Sequence, residues 1–66
     1  MDNFTACGLA EGFVEPDGET PEEREGQIIA AWQYLIDTGL CWRLQGFFGR
    51  TARDLIKNGN CQPANR

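Results

Sequence analysis

The chain has 66 residues, with six Lys and Arg against ten Asp and Glu, a net charge of -4 and 41% hydrophobic residues, enough for one small domain. It has no histidine, which excludes Ser-His-Asp and Cys-His nucleophiles, a His general base and His-containing zinc sites, so an enzyme is not expected. Cys7, Cys41 and Cys61 cannot all close as intrachain disulfides, residues 1–4 hold no basic run leading into an apolar core, and no apolar run approaches the ~20 residues of a membrane span. A soluble, reducing, cytoplasmic setting is the expectation.

Charge is split along the chain. Residues 1–25 hold eight acids (Asp2, Glu11, Glu15, Asp17, Glu19, Glu22, Glu23 and Glu25) against Arg24 alone, a net -7. From residue 26 onward Arg43, Arg50, Arg53, Lys57 and Arg66 face only Asp37 and Asp54, a net +3. Such asymmetry suits an acidic tail folded back on its own basic surface, or a module presenting one sign of charge to a partner. A solvated arm beside a solvated helix face is the plain alternative, given the small energies of exposed ion pairs.

In chain order, residues 1–19 carry Gly8, Gly12, Pro16 and Gly18 with many acids, and Phe4, Leu9, Phe13 and Val14 follow no helical or alternating period. This reads as a flexible acidic arm, partly disordered in isolation. Its two phenylalanines are candidates for pinning it to the helices, and residues 9–13 for one helical turn on a partner.

Thr20-Pro21-Glu22-Glu23 combines a cap residue, a proline at the first helical position and a glutamate at the third, and predicts a helix from Pro21. Ile28, Trp32, Leu35 and Ile36, flanked by Ile29 and Ala31, share one face, which makes Trp32 a core residue. Gly39 supplies the left-handed stop.

Residues 40–45 either begin a second helix or make a short irregular turn, because Gly46 and Gly49 argue against an unbroken helix. A second helix is expected over 47–58, with Phe47, Phe48, Ala52, Leu55 and Ile56 inward, Arg50, Arg53 and Lys57 outward, and Gly59 as its stop. The two helix ends echo each other: Leu35-Ile36-Asp37-Thr38-Gly39-Leu40-Cys41 and Leu55-Ile56-Lys57-Asn58-Gly59-Asn60-Cys61 share the pattern L-I-x-x-G-x-C. Repeated capping chemistry accounts for the echo, since one such unit is too short to fold alone. The expected fold is all-α: a small hairpin of two main helices, with a possible short third, over residues 20–61, between the arm and a flexible tail at 62–66.

The run Ala31-Trp32-Gln33-Tyr34-Leu35-Ile36-Asp37-Thr38-Gly39-Leu40, with Leu44-Gln45-Gly46-Phe47-Phe48-Gly49-Arg50-Thr51-Ala52 and Leu55-Ile56, resembles a family of small uncharacterised proteins of tailed bacteriophages. The resemblance covers residues 22–61 and leaves the acidic arm outside. It implies a phage-encoded accessory protein made in the cytoplasm of an infected bacterium, and a turn at L-Q-G-F-F-G-R that feeds a helix. No established activity comes with it.

Candidate sites follow from the remaining residues. The three cysteines lack a C-x-x-C pair and make a poor zinc site, so no metal or cofactor is expected; Cys41 reads as buried packing and the other two as incidentally exposed. Trp42, Arg43, Arg50, Arg53 and Lys57 are the candidate binding residues, because Trp and Arg dominate interface energetics and Gly46 and Gly49 would let another backbone approach. Tyr34 lies off the main stripe and reads as exposed. A host or phage protein is the leading partner. Single-stranded nucleic acid is second, on the strength of cations beside a stacking ring, and mimicry of nucleic acid by the acidic arm is a further alternative. A two-helix hairpin leaves apolar surface over, which favours packing by the arm or a homodimer.

Overall fold

The computed structural model describes residues 1–44 and 46–64. Three α-helices follow one another, α1 (Asn3–Glu11), α2 (Pro21–Asp37) and α3 (Gly46–Lys57), with a 3₁₀ turn at Leu40–Trp42 between the last two. The fold is all-α, with no strand among the described residues.

The largest departure from the sequence expectation is α1, which stands where an arm is predicted and packs along α2. Its cap is Asp2, whose carboxylate accepts the Thr5 N–H at 2.7 Å, a bond that holds this carboxyl below its ordinary range. Its stop is Gly12, in the left-handed region at φ 88°. The N–H groups of Gly12, Phe13 and Val14 all converge on the Gly8 carbonyl, at 2.9, 2.8 and 3.1 Å. Periodicity fails to show this helix because one leucine among small residues carries its packing. Ala6 and Leu9 are buried and Cys7 and Ala10 half-buried, whereas the bulky Phe4 and Phe13, expected as pins, stand 82% and 83% exposed.

The start of α2 matches its sequence signal. Thr20 is extended at φ -116° and ψ 155°, its hydroxyl accepts the Glu23 N–H at 3.2 Å, and Pro21 occupies the first helical position. The Glu23 carboxylate reaches back one residue further than a standard capping box, accepting the Glu19 N–H at 2.8 Å. Two further bonds fasten the approach to the helix: Gln27 Oε1 accepts the Asp17 N–H, and Arg24 Nε donates to the Gly18 carbonyl. The segment joining α1 to α2 is therefore stitched onto the first turns of α2.

The two echoed helix ends share one bond and differ in the next. Gly39 and Gly59, at φ 77° and 84°, each donate to the isoleucine three residues earlier, Ile36 or Ile56, at 3.1 Å. After Gly59 the chain completes a Schellman turn, with Asn60 N–H donating to the Leu55 carbonyl at 2.8 Å. After Gly39 it does not, because the Thr38 hydroxyl takes up Tyr34 O and Leu35 O and accepts Leu40 N–H instead. Both ends deliver a cysteine into the core two residues later. Cys61 is thus buried like Cys41, where the sequence suggests exposure, and its Sγ lies 3.9 Å from Ile29 O.

The core joins Ala6 and Leu9 of α1, Ala31, Trp32, Leu35 and Ile36 of α2, Cys41 of the turn, Phe48 and Ala52 of α3, and Cys61. Aromatic rings link α2 to α3: Trp32 lies 6.1 Å from Phe47 and 5.7 Å from Phe48, and the two phenylalanines stand edge-on at 5.2 Å. Phe47, expected inward, is 46% exposed. Neighbouring helical positions diverge by about 100°, so Phe48 takes the inward direction and Phe47 packs at the rim. The tail starting at Gln62 is held where it leaves the core: the Gln33 side-chain amide donates to Gln62 O at 2.9 Å and accepts Gln62 N–H at 2.7 Å. The rest of the expected tail beyond residue 64 lies outside the described residues.

Candidate functional site

The 3₁₀ turn resolves the choice left open at residues 40–45. Trp42 N–H donates to Gly39 O at 3.2 Å, and Arg43 and Leu44 N–H both donate to Leu40 O, so the chain reverses in one tight turn. That turn buries Cys41 and places Trp42 and Arg43 outside. Gln45 lies outside the described residues.

Trp42 stands against α3 at Gly49. A Cβ built on Gly49 would lie 3.6 Å from Trp42 Cε3 and 3.9 Å from Cζ3, so the indole rests on the helix backbone while remaining 52% exposed. Gly46 plays a similar part for Arg50, whose Nη1 would lie 3.8 Å from a Cβ at that position. At Gly49 the space is thus taken by the site's own indole, whereas Gly46 is exposed.

Arg50, Arg53 and Lys57 are exposed and spaced i, i+3, i+7, which puts them on one side of α3 together with Gly46 and Gly49. All five sequence-predicted residues, Trp42, Arg43, Arg50, Arg53 and Lys57, are therefore exposed on the turn and the helix that follows it. Among the described residues no ion pair joins Arg50 or Arg53 to Glu22, Glu23 or Asp54. Nor does the acidic first half fold back on these cations: α1 packs on α2, and Glu15, Asp17, Glu19, Glu22, Glu23 and Glu25 are all exposed.

Other features carry less chemistry. Tyr34 is half-buried rather than free, its hydroxyl donating to Asn3 Oδ1 at 2.6 Å and so tying α2 to the start of α1. A groove lined by Gln33, Asp37, Gln62, Pro63 and Ala64 lies beside the tail, and the Gln33 amide is already committed there to Asp37 and Gln62. The three cysteines are free thiols whose ionisation burial pushes up, with Glu11 adding to the effect at Cys7 and Asp37 at Cys61. Protonated thiols are poor nucleophiles and poor metal ligands. Among the described residues, no group of three or more Cys, Asp or Glu is placed to hold a metal ion. Among the described residues, no helix is long and apolar enough to cross a membrane.

A family model matches residues 17–66, from the approach to α2 through α3 and beyond. The chain belongs to the family described as Domain of unknown function (DUF7417). All five candidate residues lie within the DUF7417 region, whereas α1 precedes it. No curated protein and no solved structure matches the chain.

Proposed function

We propose that this DUF7417 protein is a binding module that takes an acidic protein surface through Trp42, Arg43, Arg50, Arg53 and Lys57, and that it serves as a phage accessory protein acting on a host or phage protein in the bacterial cytoplasm. One observation carries the binding reading: a half-exposed indole rests on Gly49 of α3, the helix that carries the exposed Arg50, Arg53 and Lys57, with the exposed Arg43 next to it in sequence and no ion pair to any of these cations among the described residues. An aromatic ring with flanking arginines is the usual make-up of an interface hot spot. The phage setting rests on the sequence resemblance alone.

Nucleic acid is the competing partner, since cations beside a ring also suit phosphates and bases. A single indole and a net charge of -4 favour protein. Fluorescence anisotropy separates the two, using a labelled glutamate-rich peptide and a labelled single-stranded oligonucleotide of equal length. Binding of the peptide, weakened at least about tenfold by Arg50→Ala with Arg53→Ala, supports the reading. Preference for the oligonucleotide transfers the site to the competing reading, and indifference of both probes to the substitutions removes it.

A further inference from the structure

The chain carries, on α2, a surface complementary to its own basic site. We infer that the face of α2 bearing Glu22, Gly26 and Ala30 docks on the Trp42, Arg50, Arg53 and Lys57 surface of a second copy of this chain. This rests on the reading that the basic surface takes an acidic protein, and names that protein.

Glu22, Gly26 and Ala30 recur every four residues and share one side of α2, and all three are exposed. Gly26 has no explanation inside the chain. Its φ is not positive, and a Cβ built on it would meet nothing within 4 Å, yet glycine in a helix interior weakens the helix relative to alanine. Followed one turn later by Ala30, it leaves a flat strip of backbone, with the exposed carboxylates of Glu22 and of Glu25, three residues on, at its N-terminal end. The basic site has the opposite relief, an exposed indole standing on Gly49 of α3, the helix that carries the exposed Arg50 and Arg53. Ring to flat strip and guanidinium to carboxylate, the two surfaces match in shape and in sign. Among the described residues no ion pair joins the two surfaces. Each copy holds both halves, so reciprocal contacts about a two-fold axis close as a dimer.

Net charge offers a sharp test, because two copies at -4 repel each other at long range. Glu22→Lys with Glu25→Lys brings the chain to neutrality, which promotes association if net charge alone governs it. The proposed contact requires the reverse. Glu23 is left intact because its carboxylate holds the Glu19 N–H.

The experiment is sedimentation equilibrium of the full chain under reducing conditions over a concentration series, with circular dichroism to show that each variant is folded. The expected result is a concentration-dependent dimer whose dissociation constant rises at least about tenfold in Glu22→Lys/Glu25→Lys and in Arg50→Glu/Arg53→Glu, and which returns when the two variants are mixed. A chain that stays monomeric up to about 1 mM overturns the inference, as does a neutralised variant that associates as well as the parent. The glutamate-rich peptide keeps the two readings apart. Peptide binding that Arg50→Glu/Arg53→Glu abolishes, in a chain that does not self-associate, leaves the acidic-protein site standing and refutes only the second copy.

Discussion

Val14 packs so closely over Gly8 that a Cβ at residue 8 would overlap its Cγ2 and lie 3.1 Å from its Cβ. The contact folds the chain leaving α1 back onto the helix, where the Gly8 carbonyl already gathers three N–H groups. Gly8→Ala is therefore expected to destabilise the protein by about 1–3 kcal/mol through overpacking. Gly8→Ala combined with Val14→Ala is expected to cost less than Gly8→Ala alone, because the second change makes room for the first. Urea unfolding of the parent, both single variants and the double reads this coupling. Additive single effects would mean that the two residues do not press on each other.

The two tryptophans are expected to separate cleanly. Trp32 is 4% exposed and bridges α2 to both phenylalanines of α3, so Trp32→Ala is expected to cost about 3–5 kcal/mol, much of the stability of a chain this small. Trp42→Ala removes a half-exposed ring resting on a glycine and is expected to cost less than about 1 kcal/mol. Thermal melts followed by circular dichroism decide the matter. Unfolding by Trp42→Ala would make that indole a structural strut and deprive the candidate site of its centre.

Thr20→Ala tests the cap of α2. Loss of the hydroxyl that accepts Glu23 N–H is expected to cost on the order of 1 kcal/mol. Thr20→Asp keeps an acceptor at the same place and is expected to retain the parent melting temperature within a few degrees. Equal melting temperatures for the alanine variant and the parent would count against the cap.

The elements that proved legible in the sequence are those whose signals are local and chemical. Thr20-Pro21 started α2, the Leu-Ile-x-x-Gly pattern ended α2 and α3, and the spacing of Trp32, Leu35 and Ile36 found the buried face. The first helix is not legible because its phenylalanine points outward and its buried residues are Ala6, Gly8 and Leu9, which give a weak period over only nine residues. Asp2 and Gly12, a cap and a stop at helical separation, were the available signal. Within the site, the exposure of Arg50, Arg53 and Lys57 follows from the amphipathic pattern of α3. The seating of Trp42 on Gly49 does not, because it depends on how the 3₁₀ turn sets the indole against a helix whose start was itself ambiguous. The burial of Cys61 is hidden for a similar reason: it comes from a Schellman turn that carries the chain inward after the helix has ended.

The thiols supply a pH dependence whose sign is fixed by their burial. In the folded chain the ionisation of Cys7, Cys41 and Cys61 is pushed above the ordinary 9.0, so between that value and the raised one the native state keeps protons that the unfolded state has lost. Stability is therefore fully present below about pH 9 and falls as pH rises through the native values. Melting temperatures at pH 8 and pH 10 are expected to differ in that sense, and the drop is expected to shrink in Cys41→Ala and Cys61→Ala, which each remove one contributing group. Thiol labelling offers a second readout at constant pH. Cys7, half-buried on α1, is expected to react with Ellman's reagent ahead of the other two, which wait for the core to open. Simultaneous reaction of all three thiols in native buffer would show that α1 and the segment after α3 open together with the core, and the packing of Cys41 and Cys61 would then have to be redrawn.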